Sequence, residues 1–111
     1  MFAVVYRWRV IAGREAQFEQ GWRAGTERIA AEFGGWGSRL HRVSEKGAGE
    51  NVYVAYAQWP DEATWARAME SRMRHSDETA RQQYRDSIEP GSFETLFAGP
   101  VVADLLEPGR A

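Results

Sequence analysis

The chain has 111 residues, 43% of them hydrophobic, with a formal net charge of −2 and no cysteine. That is the size of one domain with material for a real core, and it excludes disulfides, thiolate metal sites and cysteine nucleophiles. The balanced charge leaves no basic footprint for nucleic acid, and no apolar run approaches the ~20 residues needed to cross a bilayer.

Phe2, Val4, Tyr6, Trp8 and Val10 alternate with a second apolar set, Ala3, Val5 and Ile11, and with Arg7 and Arg9. Period two with β-formers predicts a first strand. The arginines lie inside the apolar run and no small-residue cleavage pattern follows, so this is not a signal peptide. A cytoplasmic protein, one domain over residues 1–111, is the expectation. Gly13 breaks the strand. From Arg14 to Phe33 the period becomes helical, with Phe18, Trp22, Ile29 and Phe33 on one face. Gly21 and Gly25 beside that face imply close approach to the sheet or a break into two helices, because glycine costs a helix ~1 kcal/mol relative to alanine. Gly34-Gly35 ends it.

Trp36 to Glu45 alternates again and reads as a second strand. Lys46-Gly47-Ala48-Gly49-Glu50 is a turn, and Asn51 to Trp59 is a third strand paired with the second as a hairpin. Pro60 stops it. Asp61 is an N-cap with Glu62 in the first turn, and Trp65, Ala68, Met69 and Met73 form the apolar stripe of the following helix. Ser76, Asp77 and Glu78 open another helix, running to about Ile88. Pro90-Gly91 turns the chain into a fourth strand, Phe93 to Ala98, which Pro100 interrupts. An apolar tail with Val101, Val102, Leu105 and Leu106 precedes Pro108-Gly109.

The order is β-α-β-β-α-β, the ferredoxin-like split-βαβ arrangement of the α+β class, with a four-stranded antiparallel sheet. Helices cover one sheet face. The other face is expected to keep large residues, including the even set of the first strand, and pairing two sheets into a dimeric α+β barrel buries it. The tail after Pro100 is expected to reach onto the partner of that homodimer. Five Trp, five Phe and four Tyr are more than a domain this small usually needs for its core, which points to a cavity, an oligomer interface or a bulky ordinary core. All but Lys46 of the 14 cationic residues are arginine; with many Ala and Gly, this reads as base composition rather than as a guanidinium-specific function.

The stretch Tyr56-Ala57-Gln58-Trp59-Pro60-Asp61-Glu62-Ala63-Thr64-Trp65 resembles the strand-three exit of the antibiotic biosynthesis monooxygenase-like superfamily, with its acidic helix start and an aromatic one turn on. The resemblance spans about residues 2 to 106. It implies a dimeric α+β barrel and two kinds of chemistry: quinone-forming monooxygenation without a cofactor, and haem degradation. In the haem-degrading branch the site resembles an Asn on the first strand, a Trp after the third and a His further along. Trp65 matches the Trp, His75 stands at the spacing of the His, and Tyr6 occupies the place of the Asn.

The residues suggest site roles of their own. His41, on the second strand, is a candidate general base if it faces a cavity; otherwise it is an exposed strand residue. His75 is either a haem ligand or a helix-end histidine. Asn51 and Tyr53 can donate hydrogen bonds to a phenolate or ketone. Tyr6, Trp8, Trp65 and Met69 are candidate walls of a pocket in which a flat aromatic stacks, or else plain packing. There is no phosphate loop, no dinucleotide fingerprint and no His-x-x-x-His pair for a metal. The reading that emerges is a cofactor-independent monooxygenase acting on a small quinol- or anthrone-like aromatic. Its alternatives are a haem-binding or haem-degrading enzyme and a non-catalytic dimeric barrel that holds a small ligand.

Overall fold

A computed structural model describes residues 1–43 and 51–107. The elements are β1 (Phe2–Arg9), α1 (Glu15–Phe33), β2 (Ser38–Arg42), β3 (Val52–Trp59), α2 (Glu62–Glu70), α3 (Glu78–Ser87) and β4 (Glu94–Pro100). The strands form one sheet in the order β2-β3-β1-β4, with every neighbouring pair antiparallel. This is the α+β, ferredoxin-like fold that the element order implies. The expected turn at Lys46–Glu50, the end of the second strand at Glu45 and the Pro108-Gly109 terminus lie outside the described residues.

Register decides which side of each strand meets the helices. Phe2 pairs with Trp59, Val4 with Ala57, Tyr6 with Ala55 and Trp8 with Tyr53. Directly opposed residues share a sheet face, and this set, with Phe18 of α1, makes up the buried core. The even residues of β1 therefore face the helices of their own chain, which corrects the expectation that they line the open face. Both Val4 and Phe18 are completely buried, each worth about 1.5–3 kcal/mol relative to exposure. The open face carries the other set, with Val5 opposite Tyr56 on one side and Phe97 on the other.

Helix α1 is unbroken through both internal glycines, and what approaches them is not the sheet. A Cβ at Gly21 would stand 2.8 Å from the backbone nitrogen of Tyr84, and one at Gly25 would stand 3.0 Å from Nε2 of His75. The glycines thus let α3 and the segment before it press onto α1. Helix α1 ends at Gly34, whose φ of 81° is left-handed.

Asp61 caps α2 by accepting the Thr64 N–H at 2.8 Å, and Asp77 caps α3 by accepting the Ala80 N–H at 3.0 Å. Helix α2 stops at Glu70, so Met73 lies beyond it instead of completing its stripe. The Met73 N–H returns to the Ala68 carbonyl and the Arg72 N–H to that of Met69, both at 2.9 Å. This pair of bonds is a Schellman closure, built without glycine: Arg72 and Met73 hold φ of 56° and 53°, a conformation that non-glycine residues avoid. It turns Met73 back onto the core and brings His75 against Gly25 of α1. Strand β4 runs through to Pro100, opposite Phe2. Proline is tolerated there because β4 is an edge strand.

Candidate functional site

The helix-facing positions of β3 are, in order, Tyr53, Ala55, Ala57 and Trp59. Two alanines between two large aromatics leave a hollow in the floor of the sheet, and the helices do not fill it. The result is a cavity of about 700 Å³ between the sheet, α1 and α3. Tyr6 and Trp8 line it from β1, Met69 from the end of α2 and Met73 from the turn beyond it, and His75 and Tyr84 from the opposite wall.

Two indole–phenol pairs brace this lining. The indole N–H of Trp65 donates to the Tyr6 hydroxyl at 2.9 Å, and that of Trp8 donates to the Tyr84 hydroxyl. Burial raises the pKa of Tyr6 and pushes that of Tyr84 up to about 12. Both phenols stay protonated at neutral pH. Each accepts from an indole, so its own proton is left to donate. Phe93 packs against both rings, its centroid 5.4 Å from that of Tyr6 and 5.7 Å from that of Trp8.

His75 is buried. Its Nδ1 accepts the Asp77 N–H at 3.2 Å, which places the proton of the neutral ring on Nε2. Burial, and next the Arg81 cation, lower its pKa against the opposing pull of Glu32 and Asp77. A neutral imidazole of this tautomer donates from Nε2 and has no free lone pair to act as a base. The same geometry does not fit haem. With Nδ1 engaged by the Asp77 N–H and the ring proton on Nε2, this tautomer offers no lone pair to a haem iron.

Two further polar atoms lie enclosed behind the lining. Nε1 of Trp59 and Nε of Arg81 are buried and have no hydrogen-bond partner among the described residues, and both residues border this cavity. Leaving such a donor unpaired costs about 1–3 kcal/mol.

The structure thus brings Tyr6, Trp8, Met69 and His75 to one cavity. Trp65 stands behind it, half-buried, bonded to Tyr6 and packed on Phe2 at 5.4 Å between centroids. The other candidates lie elsewhere. His41 is exposed on β2, opposite Val54 on the open sheet face. There it borders a second hollow of about 650 Å³, walled by Tyr56, Trp36 and the tail residues Leu105 and Leu106. Asn51 precedes β3 with a φ of 53° and donates to Glu15 at 3.1 Å. The Tyr53 ring is fully buried in the core; its hydroxyl donates to Glu19 at 2.6 Å and accepts from Arg42 at 2.8 Å. That bond is the main reason the Glu19 carboxyl sits below its ordinary range.

Sequence reasoning did not find Trp59, Arg81 or Tyr84. The signal for the cavity was the Ala-x-Ala at alternate positions of the third strand, small side chains where a core strand carries large ones. Among the described residues, no three His, Cys, Asp or Glu side chains gather as a metal site, and no helix is long and apolar enough to cross a membrane.

The profile of the antibiotic biosynthesis monooxygenase family matches residues 1–87. SnoaB, a cofactor-independent oxygenase from Streptomyces nogalater, superposes with a TM-score of 0.67 at 21% identity, over 96% of this chain and 97% of that one. A Nitrosomonas europaea protein of unknown function gives 0.64 at 16% identity, over 97% and 95%. A NIPSNAP domain protein from Burkholderia xenovorans gives 0.59 at 16%, over 96% and 99%. At these identities the likeness is one of fold. The sequence matches no curated protein.

Proposed function

Because the chain belongs to the antibiotic biosynthesis monooxygenase family, we propose that it is a cofactor-independent monooxygenase whose substrate is a flat, electron-rich aromatic of the quinol or anthrone kind. The observation that carries this reading is the cavity between sheet and helices, walled by Tyr6, Trp8, Tyr84 and Phe93 and supplied with hydrogen-bond donors. Rings of this kind hold a planar ligand by stacking and edge contacts. The phenol protons and the Nε2–H of His75 stabilise negative charge on a ligand oxygen, most strongly where water is excluded.

The chemistry asks for little more. An anthrone loses a proton from its methylene carbon to solvent water, and the donors lower the cost of the resulting anion. The anion passes one electron to O₂, and the two radicals combine as a carbon-bound peroxide. The peroxide takes a proton, and the O–O bond then breaks as the second hydrogen leaves the same carbon. The methylene becomes a carbonyl, one oxygen atom stays, and the other departs as water. No outside reductant enters the balance. The protein contributes orientation, desolvation and charge stabilisation.

The same reading includes a homodimer. Phe97 and Trp36 are about three-fifths exposed, and Val102 and Leu105 almost wholly so. A second copy over the open sheet face would bury them.

The test is O₂ uptake with anthrone and 1,4-naphthohydroquinone in chelator-treated buffer. Turnover above the uncatalysed rate, reduced about tenfold or more by Tyr6→Phe, is the expected result. Saturable binding of these compounds without O₂ consumption would make the protein a ligand-binding barrel instead.

A further inference from the structure

Met69 and Met73 border the cavity between sheet and helices and are half-buried. The third methionine of the chain, Met1, is exposed and lies outside it. Met73 holds a φ of 53°, a conformation that glycine adopts freely and a side chain opposes. Strain kept beside a cavity points to a use for what it retains, and here that is a side chain ending in a thioether. Leucine would supply the same apolar bulk. Methionine adds a polarizable sulfur that peroxides convert to the sulfoxide.

The same lining supplies the proton that this reaction needs. The phenols of Tyr6 and Tyr84 border the cavity, and each accepts from an indole and keeps its own proton to donate. An organic hydroperoxide, R–O–O–H, held there meets a nucleophile and a proton donor together. The sulfur lone pair attacks the terminal oxygen, so that an S–O bond forms as the O–O bond breaks. The departing R–O oxygen takes a proton from a phenol, and the phenol recovers one from the oxygen now on sulfur. Sulfur gives up two electrons and the peroxide gains them, leaving a sulfoxide and the alcohol R–OH. Donation to the departing oxygen is most effective where water is excluded.

We propose that Met69 and Met73 are oxidation sites built into the cavity: an aromatic hydroperoxide held there converts them to sulfoxides, and the wall that turns polar then binds ligand more weakly. The proposal rests on the proposed function for the peroxide that arises in turnover, and on the cavity lining alone for the site.

The experiment exposes the folded protein to cumene hydroperoxide and, separately, to hydrogen peroxide, and follows oxygen addition at each methionine by peptide mass spectrometry. With cumene hydroperoxide, Met69 and Met73 should oxidise at least about threefold faster than Met1, the reverse of the order that exposure alone gives. Hydrogen peroxide, which gains nothing from an apolar pocket, should oxidise Met1 first, and in urea the three should react alike. Ala55→Leu, which fills the hollow, should remove the preference shown with cumene hydroperoxide. Treatment should also lower the wild-type affinity for 1,4-naphthoquinone by about tenfold and leave that of a Met69→Leu, Met73→Leu double variant unchanged. Faster oxidation of Met1 by cumene hydroperoxide in the wild type, a preference that survives Ala55→Leu, or an equal loss of affinity in the double variant would overturn the proposal. The two readings fail separately: selective oxidation with no O₂ uptake on anthrone leaves the sites standing and removes the oxygenase, and anthrone turnover with Met1 oxidised first does the reverse.

Discussion

Gly25 and His75 are fitted to each other: a Cβ at position 25 would stand 3.0 Å from the Nε2 of a buried imidazole that the Asp77 N–H holds in place at 3.2 Å. The pairing explains why a 19-residue helix carries a glycine near its middle. It also joins α1 to the chain segment that closes the cavity.

Gly25→Ala should therefore lower stability, because crowding costs about 1–3 kcal/mol and exceeds the ~1 kcal/mol that alanine gains in a helix. In a His75→Ala background the crowding is gone, and the same substitution should stabilise. Urea denaturation of the four proteins measures this double-mutant cycle; two effects of the same sign would show that the two residues do not press on each other.

The pH dependence follows from the same histidine. Its pKa in the folded protein lies below the ordinary value of 6.5, so the unfolded chain binds the proton more tightly. The contribution is fully present above pH 6.5 and is lost as pH falls through the folded value. Stability measured from pH 8 to 5 should decline on the acid side, and His75→Gln should flatten that limb. Carboxylates such as Glu32 and Asp61, also held low, titrate in a more acid window and leave this one clear.

The alanine floor offers a way to separate function from folding. Ala55→Leu projects into the cavity beside Tyr6, its partner across the ladder. Ligand affinity should fall by about tenfold or more, while stability changes by less than about 1.5 kcal/mol, since the added atoms enter a void and not a packed core. A large loss of stability in thermal denaturation would mean that the space is not open.

Removing residues 101–111 tests the tail. Val102 and Leu105 are each 95% exposed, so they add almost nothing to the packing of their own subunit. If they cover a partner, the truncated protein should sediment as a monomer at concentrations where the full chain is a dimer, with its far-ultraviolet dichroism unchanged. A truncated protein that stays dimeric would refute that role.

Much of the fold was legible because its signals are local. Alternation in Phe2–Val10, Asp61 after Pro60, and Asp77 at the head of its helix each depend on a few neighbouring residues, and each appears where the spacing predicted it. The same local reading failed where two distant segments compete for one space. Nothing near Gly21 and Gly25 says that α3 and His75, not the sheet, approach them. Nothing near Phe2–Trp8 says whether the even or the odd side meets the helices, since both sides are apolar.

The candidate site divides along the same line. Tyr6, Trp8, Met69 and His75 were nameable as aromatic, flexible or titratable groups at suggestive spacings, and they do border one cavity. His41 and Asn51 had equal chemical credentials, and strand register put one on the open face and the other against Glu15. From the sequence alone came the class of fold, the element order and the kind of side chain available. The tertiary structure decided that two alanines would leave a hollow, and that Trp59 and Arg81 would each bury a nitrogen without a partner. A cavity and an unmet hydrogen bond arise from the mutual placement of elements far apart in the chain, and no local periodicity encodes them.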